Sequence, residues 1–255
     1  MSVCEQLNVR RISPDGDVGA AESVVTESPL SIRINGSHLS TLMCTPLDLD
    51  YLVAGYLLSA GVIDRPDEIG SSRISIADGI AAVHIPGYDL GNMPAGAQVS
   101  GCGRGEIYLD VITHCTRNDD YSRFTASELL GQMSVFNKSS KLFLATGGVH
   151  SAALSTGRGI IFVHEDIGRH NAVDKVIGHA ACSGVSLSDK VLLTSGRLSS
   201  EILIKAAKRG LPVVVSRSAP TTLAVELAVR LNITLVGFAR GNRMNIYAGE
   251  SRIDA

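Results

Sequence analysis

The sequence predicts an α/β protein, with a smaller N-terminal α+β part that contains hairpins and a larger C-terminal part built on a parallel sheet. Three observations carry this reading. From about Lys141 onward, apolar stretches at 159–163, 190–193, 212–215 and 234–238 alternate with helical stretches at 171–181, 200–208 and 222–231. That order builds a largely parallel sheet with helices on its faces. Upstream, two pairs of alternating apolar and polar residues turn on Asn35-Gly36 and Asp78-Gly79, dipeptides that tolerate the positive φ values of a tight hairpin. The composition then changes near residues 120–140, which places a boundary there: 1–22 as a lead-in, 23–125 as the N-terminal subdomain and 126–255 as the α/β domain.

Taken in order, residues 1–22 are polar and rich in Gly and Asp, and read as a frayed lead-in. LSIRI and SHLSTLM form the first hairpin. Thr45-Pro46-Leu47-Asp48 reads as a helix start, with Thr45 as N-cap, Pro46 at the first helical position and Asp48 three residues after the cap. The helix runs to about Ser59 and stops at Gly61. SRISIA and IAAVHI make the second hairpin. Residues 88–101 carry four glycines or prolines and no periodicity, a loop long enough to suggest function. Cys102-Gly103-Arg104-Gly105 ends that loop, EIYLDVI returns to strand, and Thr125-Ala126-Ser127-Glu128 caps a helix carrying Leu129, Leu130, Met133 and Phe136.

Composition narrows the classes. Hydrophobic residues make up 45% and charged residues 19%, as in an ordinary globular protein. A net charge of −2 argues against a large nucleic-acid surface. The apolar runs fall short of the ~20 residues a bilayer needs. MSVCEQLNVRR lacks a signal-peptide core, so a cytoplasmic address is expected. Five cysteines (Cys4, Cys44, Cys102, Cys115, Cys182), with no C-x-x-C, read as reduced thiols rather than a disulfide framework or a structural zinc site.

The densest polar cluster is Gly159 to His179, where GIIFV gives way to His164-Glu165-Asp166, turns on Ile167-Gly168 and enters a helix. Strand, tight turn and helix start are the arrangement in which α/β proteins hold ligands. Every apolar strand of the second half ends in an arginine-bearing segment: HEDIGRH, TSGRLSS, SRSAPTT and FARGNR. Parallel strands would crowd Arg169, Arg197, Arg217, Arg240 and Arg243 along one sheet edge, a setting for a ligand with more than one phosphate. Salt bridges from the same arginines to Glu165, Asp166 and Glu201 are the plainer alternative. His150 and His170 are candidates for acid–base or hydrogen-bonding roles. Cys102, flanked by glycines and next to Arg104, is the candidate reactive thiol, while Cys44 and Cys182 read as core residues. P-loop and Rossmann fingerprints are absent, as is G-x-S-x-G. His164-Glu165 lacks the H-x-E spacing of a zinc deaminase, and Cys182 has no C-x-x-C partner.

Several segments, TGGVHSAAL, HEDIGRHNAVDKVIG, TSGR, SAPTTLAVELA and LVGFARGNRMNIY, with ESPLSIRING and CTPLDLDYLVAGYLLSAGVI upstream, resemble the FdhD family of formate dehydrogenase accessory sulfurtransferases from about Val24 to Tyr247. The resemblance implies a cytoplasmic homodimer whose larger domain is a cytidine-deaminase-like three-layer α/β fold without the zinc site. It also implies a sulfur carrier that takes persulfide sulfur from a cysteine desulfurase. That sulfur passes to the molybdenum or tungsten of a bis(molybdopterin guanine dinucleotide) cofactor destined for formate dehydrogenase. No nucleic acid, membrane or zinc is implied. Cys102 matches the first cysteine of the family's C-x-x-C loop, but Gly105 stands where the second is usual. This keeps open a non-catalytic chaperone for the cofactor. Phe238, Ala239, Arg240, Gly241, Asn242 and Arg243 match the cofactor-binding segment, with Asp166, Arg169, His170, Arg197, Arg217 and His150 as further cofactor contacts. Two pyrophosphates in one cofactor would account for several guanidinium groups along one edge.

Overall fold

The computed structural model describes residues 2–68, 75–88 and 115–255. The chain opens with an antiparallel ribbon of β1 (Cys4–Ser13) and β2 (Gly16–Val25), in unbroken register from Cys4↔Val25 to Ser13↔Gly16. The frayed lead-in expected for residues 1–22 is thus corrected to a regular hairpin. Its apolar residues are sparse and mostly exposed, so they carry no strand periodicity. A full backbone ladder and the surface pairs Arg10–Asp17 and Arg11–Glu22 hold it instead.

A four-stranded sheet follows, from β3 (Ser28–Ile34), β4 (Ser37–Cys44), β5 (Ser75–Ala77) and β6 (Ile80–Val83), in the order β4-β3-β6-β5. Both anticipated turns are present, with φ of 49° and 86° at Asn35 and Gly36 and 50° and 75° at Asp78 and Gly79. Helix α1 (Leu49–Ala60) stops at Gly61 in the left-handed conformation, as the sequence suggested. Its start differs. Asp48 occupies the N-cap position, while Thr45 is fully buried and accepts the Ile167 N–H at its Oγ1 (3.1 Å). A tertiary hydrogen bond has claimed the hydroxyl that local patterning assigned to the helix end.

The remaining elements are β7 (Phe124–Thr125), α2 (Ala126–Ser139), α3 (Lys141–Thr146), β8 (His150–Ser155), β9 (Ile160–Asp166), α4 (Arg169–Cys182), β10 (Val191–Thr194), α5 (Ser200–Lys208), β11 (Val213–Ser216), α6 (Thr222–Leu231), β12 (Thr234–Arg240), β13 (Arg243–Ala248) and β14 (Ile253–Asp254). Thr125 caps α2 in a reciprocal capping box with Glu128. Thr125→Ala is expected to lower stability by about 1 kcal/mol, read from the urea midpoint at unchanged slope.

The central sheet has the order β13-β12-β11-β10-β8-β9. Only β10/β11 and β11/β12 pair in parallel; β8 inserts antiparallel between β9 and β10, and β13 returns antiparallel on β12. The expectation of a largely parallel sheet is corrected to this extent. The small residues of HSAALS and the polar RMNIYA gave β8 and β13 no strong apolar signal. Even so, β9, β10, β11 and β12 all point one way, so their carboxyl ends share one edge with the amino ends of β8 and β13.

Alternation along the strands sorts the core into two faces. Leu154, Leu192, Val214 and Leu235 pack under α4, α5 and α6, in a cluster that continues without a break through α1 to Leu30 and Ile32 of the small sheet. On the other face, Leu129, Met133 and Phe136 of α2 cover Ala153, Leu193, Val215 and Val236. The boundary expected at 125/126 is therefore no break in the core. Helices α1 and α4 cross at two glycines: a Cβ at Gly55 would lie 1.8 Å from the Asp174 carbonyl oxygen, and one at Gly178 2.0 Å from that of Tyr51. Only backbone against backbone fits there.

Candidate functional site

The polar edge is built on a buried bracket. Asp166 ends β9 and is 0% exposed; its Oδ1 accepts from Gly168 N–H (2.8 Å) and Asn171 Nδ2 (2.9 Å), and its Oδ2 from Thr45 N–H (3.2 Å). Lys175 Nζ, equally buried, pairs with Oδ2 at 2.7 Å and donates to the carbonyls of Glu165 (3.0 Å) and Thr45 (3.3 Å). These contacts fix the turn that launches α4, and so the direction of Arg169 and His170. One residue earlier, Glu165 points to the other face and accepts the free N–H groups of Leu142 and Phe143 at the start of α3.

In front of that bracket stands His150, at the start of β8, with its Nδ1 3.4 Å from Ser195 Oγ. Burial holds its pKa below the ordinary histidine value, and the charges of Arg169, Arg217, His170 and Arg197 depress it further. One half-buried imidazole thus faces three arginines and a second histidine from the ends of three different strands. Arg169 lies across Gly196, where a Cβ would come within 2.9 Å of its side chain, and its buried Nε has no hydrogen-bond partner among the described residues. Arg217 sits 5.1 Å from the Phe143 ring centroid, and its carbonyl accepts from Arg240 Nε at 2.8 Å. His170 contacts Glu201 (2.9 Å) and Ser199 Oγ (3.2 Å). Among the described residues no side chain caps the first turn of α4 or of α5, whereas Thr221 caps α6. Two uncapped helix starts, an unpaired buried guanidinium N–H and a cationic ring fit an anion with several oxygens.

The sequence profile of the FdhD/NarQ family matches residues 25–254. The chain belongs to that family. It is 40% identical over 260 aligned residues to the sulfur carrier protein FdhD of Listeria innocua, covering 99% of this chain and 100% of that one. Against the sulfur carrier protein FdhD of Staphylococcus aureus it is 42% identical over 239 residues, covering 91% and 89%. A crystal structure described as a formate dehydrogenase accessory protein from Desulfotalea psychrophila superposes with a TM-score of 0.82 at 28% identity, over 99% of this chain and 100% of that one.

Within this FdhD/NarQ chain, the structure brings His150, Arg169, His170, Arg197 and Arg217 together, with Arg240 reaching back to them. Phe238 adopts a left-handed φ of 52°, and Gly241 and Asn242 form the turn into β13, whose first residue Arg243 pairs with Arg240. Ala239 is 0% exposed and packs into the core beneath α2, and Asp166 is equally buried behind the edge; neither side chain faces the edge itself. Gly148 makes room for the ribbon, since a Cβ there would sit 2.7 Å from Val25 Cγ1. Phe143, Ser195 and Ser199 have no sequence signature that could have marked them.

Cys102, Gly103, Arg104 and Gly105 lie outside the described residues, as does EIYLDVI. Among the described thiols, burial pushes Cys44 up to about 11 and raises Cys115, the reverse of what activates a nucleophile. Cys182, expected in the core, is exposed at the end of α4. No group of three or more His, Cys, Asp or Glu among the described residues could hold a metal ion, and no described helix is long and apolar enough to cross a membrane.

Proposed function

We propose that this protein is a sulfur carrier that accepts persulfide sulfur from a cysteine desulfurase on Cys102. It transfers that sulfur to the molybdenum or tungsten of a bis(molybdopterin guanine dinucleotide) cofactor on its way to formate dehydrogenase. The cofactor is bound as substrate. The observation that carries the reading is the cationic ring around His150 in a chain of the FdhD/NarQ family. Arg169, Arg197 and Arg217 suit pyrophosphate oxygens bidentately, and the uncapped starts of α4 and α5 add backbone donors. Arg240, Asn242 and Arg243, at the hairpin between β12 and β13, extend the grip. Asp166 positions Arg169 and His170 from behind. The working protein is read as a cytoplasmic homodimer with a cytidine-deaminase-like larger domain.

A persulfide needs one nucleophilic sulfur, so Cys102 suffices for loading although Gly105 replaces the family's second cysteine. Incubation with a desulfurase and cysteine is expected to add about 32 Da, one sulfur atom, to the peptide containing Cys102. Cys102→Ala should lose that adduct and still bind guanosine diphosphate. Absence of the adduct on the parent protein, with nucleotide binding intact, would favour the second reading, a chaperone that protects and delivers the cofactor without transferring sulfur. Gly105 is the feature that favours it.

A further inference from the structure

Beside the arginine edge, β9, α1 and α4 enclose a second group of titratable side chains that cofactor binding does not use. His164 is 5% exposed and hydrogen-bonded through both ring nitrogens, Nδ1 to Asp48 Oδ2 at 2.8 Å and Nε2 to His179 Nδ1 at 2.8 Å. His179 is clamped between Tyr51, with ring centroids 4.2 Å apart and planes at 5°, and Phe162, at 4.1 Å and 23°. Its Nε2 has no partner among the described residues, and the side chain is half-buried. Asp48 adopts a left-handed φ of 54° and makes no side-chain cap to α1, although it stands at the cap position. A non-glycine residue thus tolerates backbone strain, and forgoes a cap, to aim its carboxylate at an imidazole.

With both rings neutral and Asp48 ionised, the contacts leave one arrangement of protons. With His164 Nδ1–H donating to the carboxylate, His164 Nε2 accepts the Nδ1–H of His179, and the lone pair of His179 Nε2 faces outward. A proton arriving at that nitrogen releases the Nδ1 proton to His164. Both hydrogen bonds survive, with donor and acceptor exchanged only between the two imidazoles, and the positive charge comes to rest on His164 beside the Asp48 carboxylate. The charged and titratable groups facing this chain are Asp48 and His164 for His179, and His164, Lys175 and His179 for Asp48. The His164 hydrogen bond holds Asp48 below the usual carboxylate range, and burial lowers His179 against the opposing pull of Asp48, which favours an unprotonated outward nitrogen.

We propose that Asp48, His164 and His179 form a proton relay in which His179 Nε2 deprotonates a sulfhydryl group, thiol or persulfide, brought to it. The substrate class rests on the sulfur-carrier reading; the relay itself does not. In the step the S–H bond breaks and its electron pair stays on sulfur, an N–H bond forms at His179 Nε2, and the Nδ1 proton of His179 moves to His164 Nε2. No oxidant or reductant is needed. An ordinary thiol titrates at about 8.5, within about two units of imidazole, the match that favours general-base assistance. The flanking rings of Tyr51 and Phe162 suit a polarisable sulfur. His179 is the catalytic residue; His164 and Asp48 act through it.

Two measurements on the full chain test this. In a 15N NMR pH titration the nitrogens of His164 and His179 should respond in one shared step, shifted to lower pH in Asp48→Asn. Separate titration of the two rings would overturn the relay whatever the protein carries. The second is the rate of sulfur loading of Cys102 from a desulfurase. At about pH 6.5 a thiol is ~1% ionised, so His179→Gln should slow loading by up to ~100-fold, and the deficit should vanish near pH 9.5, where the thiol ionises unaided. A purely structural role would give the same deficit at both pH values. That result, or loading at the parent rate at pH 6.5, sinks the proposal. If the parent protein shows no loading at all, the sulfhydryl assignment and the sulfur-carrier reading fall together, while the titration still decides the relay. Slower iodoacetamide alkylation of Cys102 in His179→Gln would identify the chain's own thiol as the group served; unchanged alkylation with slowed loading would identify the donor's.

Discussion

Replacing Arg169 and Arg197 together with alanine is expected to weaken guanosine diphosphate binding by roughly 100-fold, with little change in melting temperature. A hydrogen bond to a charged group contributes about 1.5–3 kcal/mol, so losing one good interaction from each arginine accounts for about two decades in affinity. Stability should hold because Arg197 is exposed and Arg169 Nε has no partner among the described residues to abandon. Calorimetry with guanosine diphosphate at low and high salt reads both affinity and its electrostatic part. The pH dependence has a definite sign. His150 is held below its ordinary pKa in the free protein, and a bound pyrophosphate would raise it, so binding takes up a proton and affinity should climb as pH falls through the histidine range. His150→Gln should flatten that slope. Unchanged affinity in the double variant would remove the arginine edge from the cofactor site.

The arginine edge was legible in the sequence because its logic is local. Each arginine follows an apolar run by a few residues, and the bounds of α5 and α6 fall where helical periodicity places them. Strand direction was the one global fact needed, and four strands do run the same way. The antiparallel insertion of β8 was not legible: Ala152 and Ala153 are buried by position, not by a hydrophobic pattern. Nor was the ribbon of β1 and β2, whose ladder needs no apolar face. Thr45 illustrates the general case. As a cap signal it was well formed, yet Asp166 and Ile167, more than a hundred residues away, take its N–H and its hydroxyl. The Asp48–His164–His179 chain fails to show for the same reason, since its members are joined only by the packing of α1 and α4 on β9. Cys102 was singled out from its glycine flanks and the family pattern, and it lies outside the described residues.

The second large effect is expected behind the edge. Lys175→Met should lower stability by about 3–5 kcal/mol, a drop of roughly 10 °C in melting temperature for a chain of this size. Lys175 and Asp166 are each 0% exposed, so deleting the ammonium leaves a carboxylate with three N–H donors but no counter-charge, and takes one donor from each of the carbonyls of Thr45 and Glu165. A pair at the surface would show almost nothing, because water would replace the partner. The double variant Asp166→Asn, Lys175→Met removes both charges and should be less destabilised than the sum of the two single changes, by an amount a double-mutant cycle in urea can read. Strict additivity would mean that the two side chains do not act as a pair. Because the same carboxylate organises Thr45, Gly168 and Asn171 at the start of α4, the Lys175→Met protein should also bind guanosine diphosphate more weakly, despite touching no ligand. Against the arginine variants, which lose affinity and keep stability, that joint loss separates the residues that meet the ligand from those that aim them.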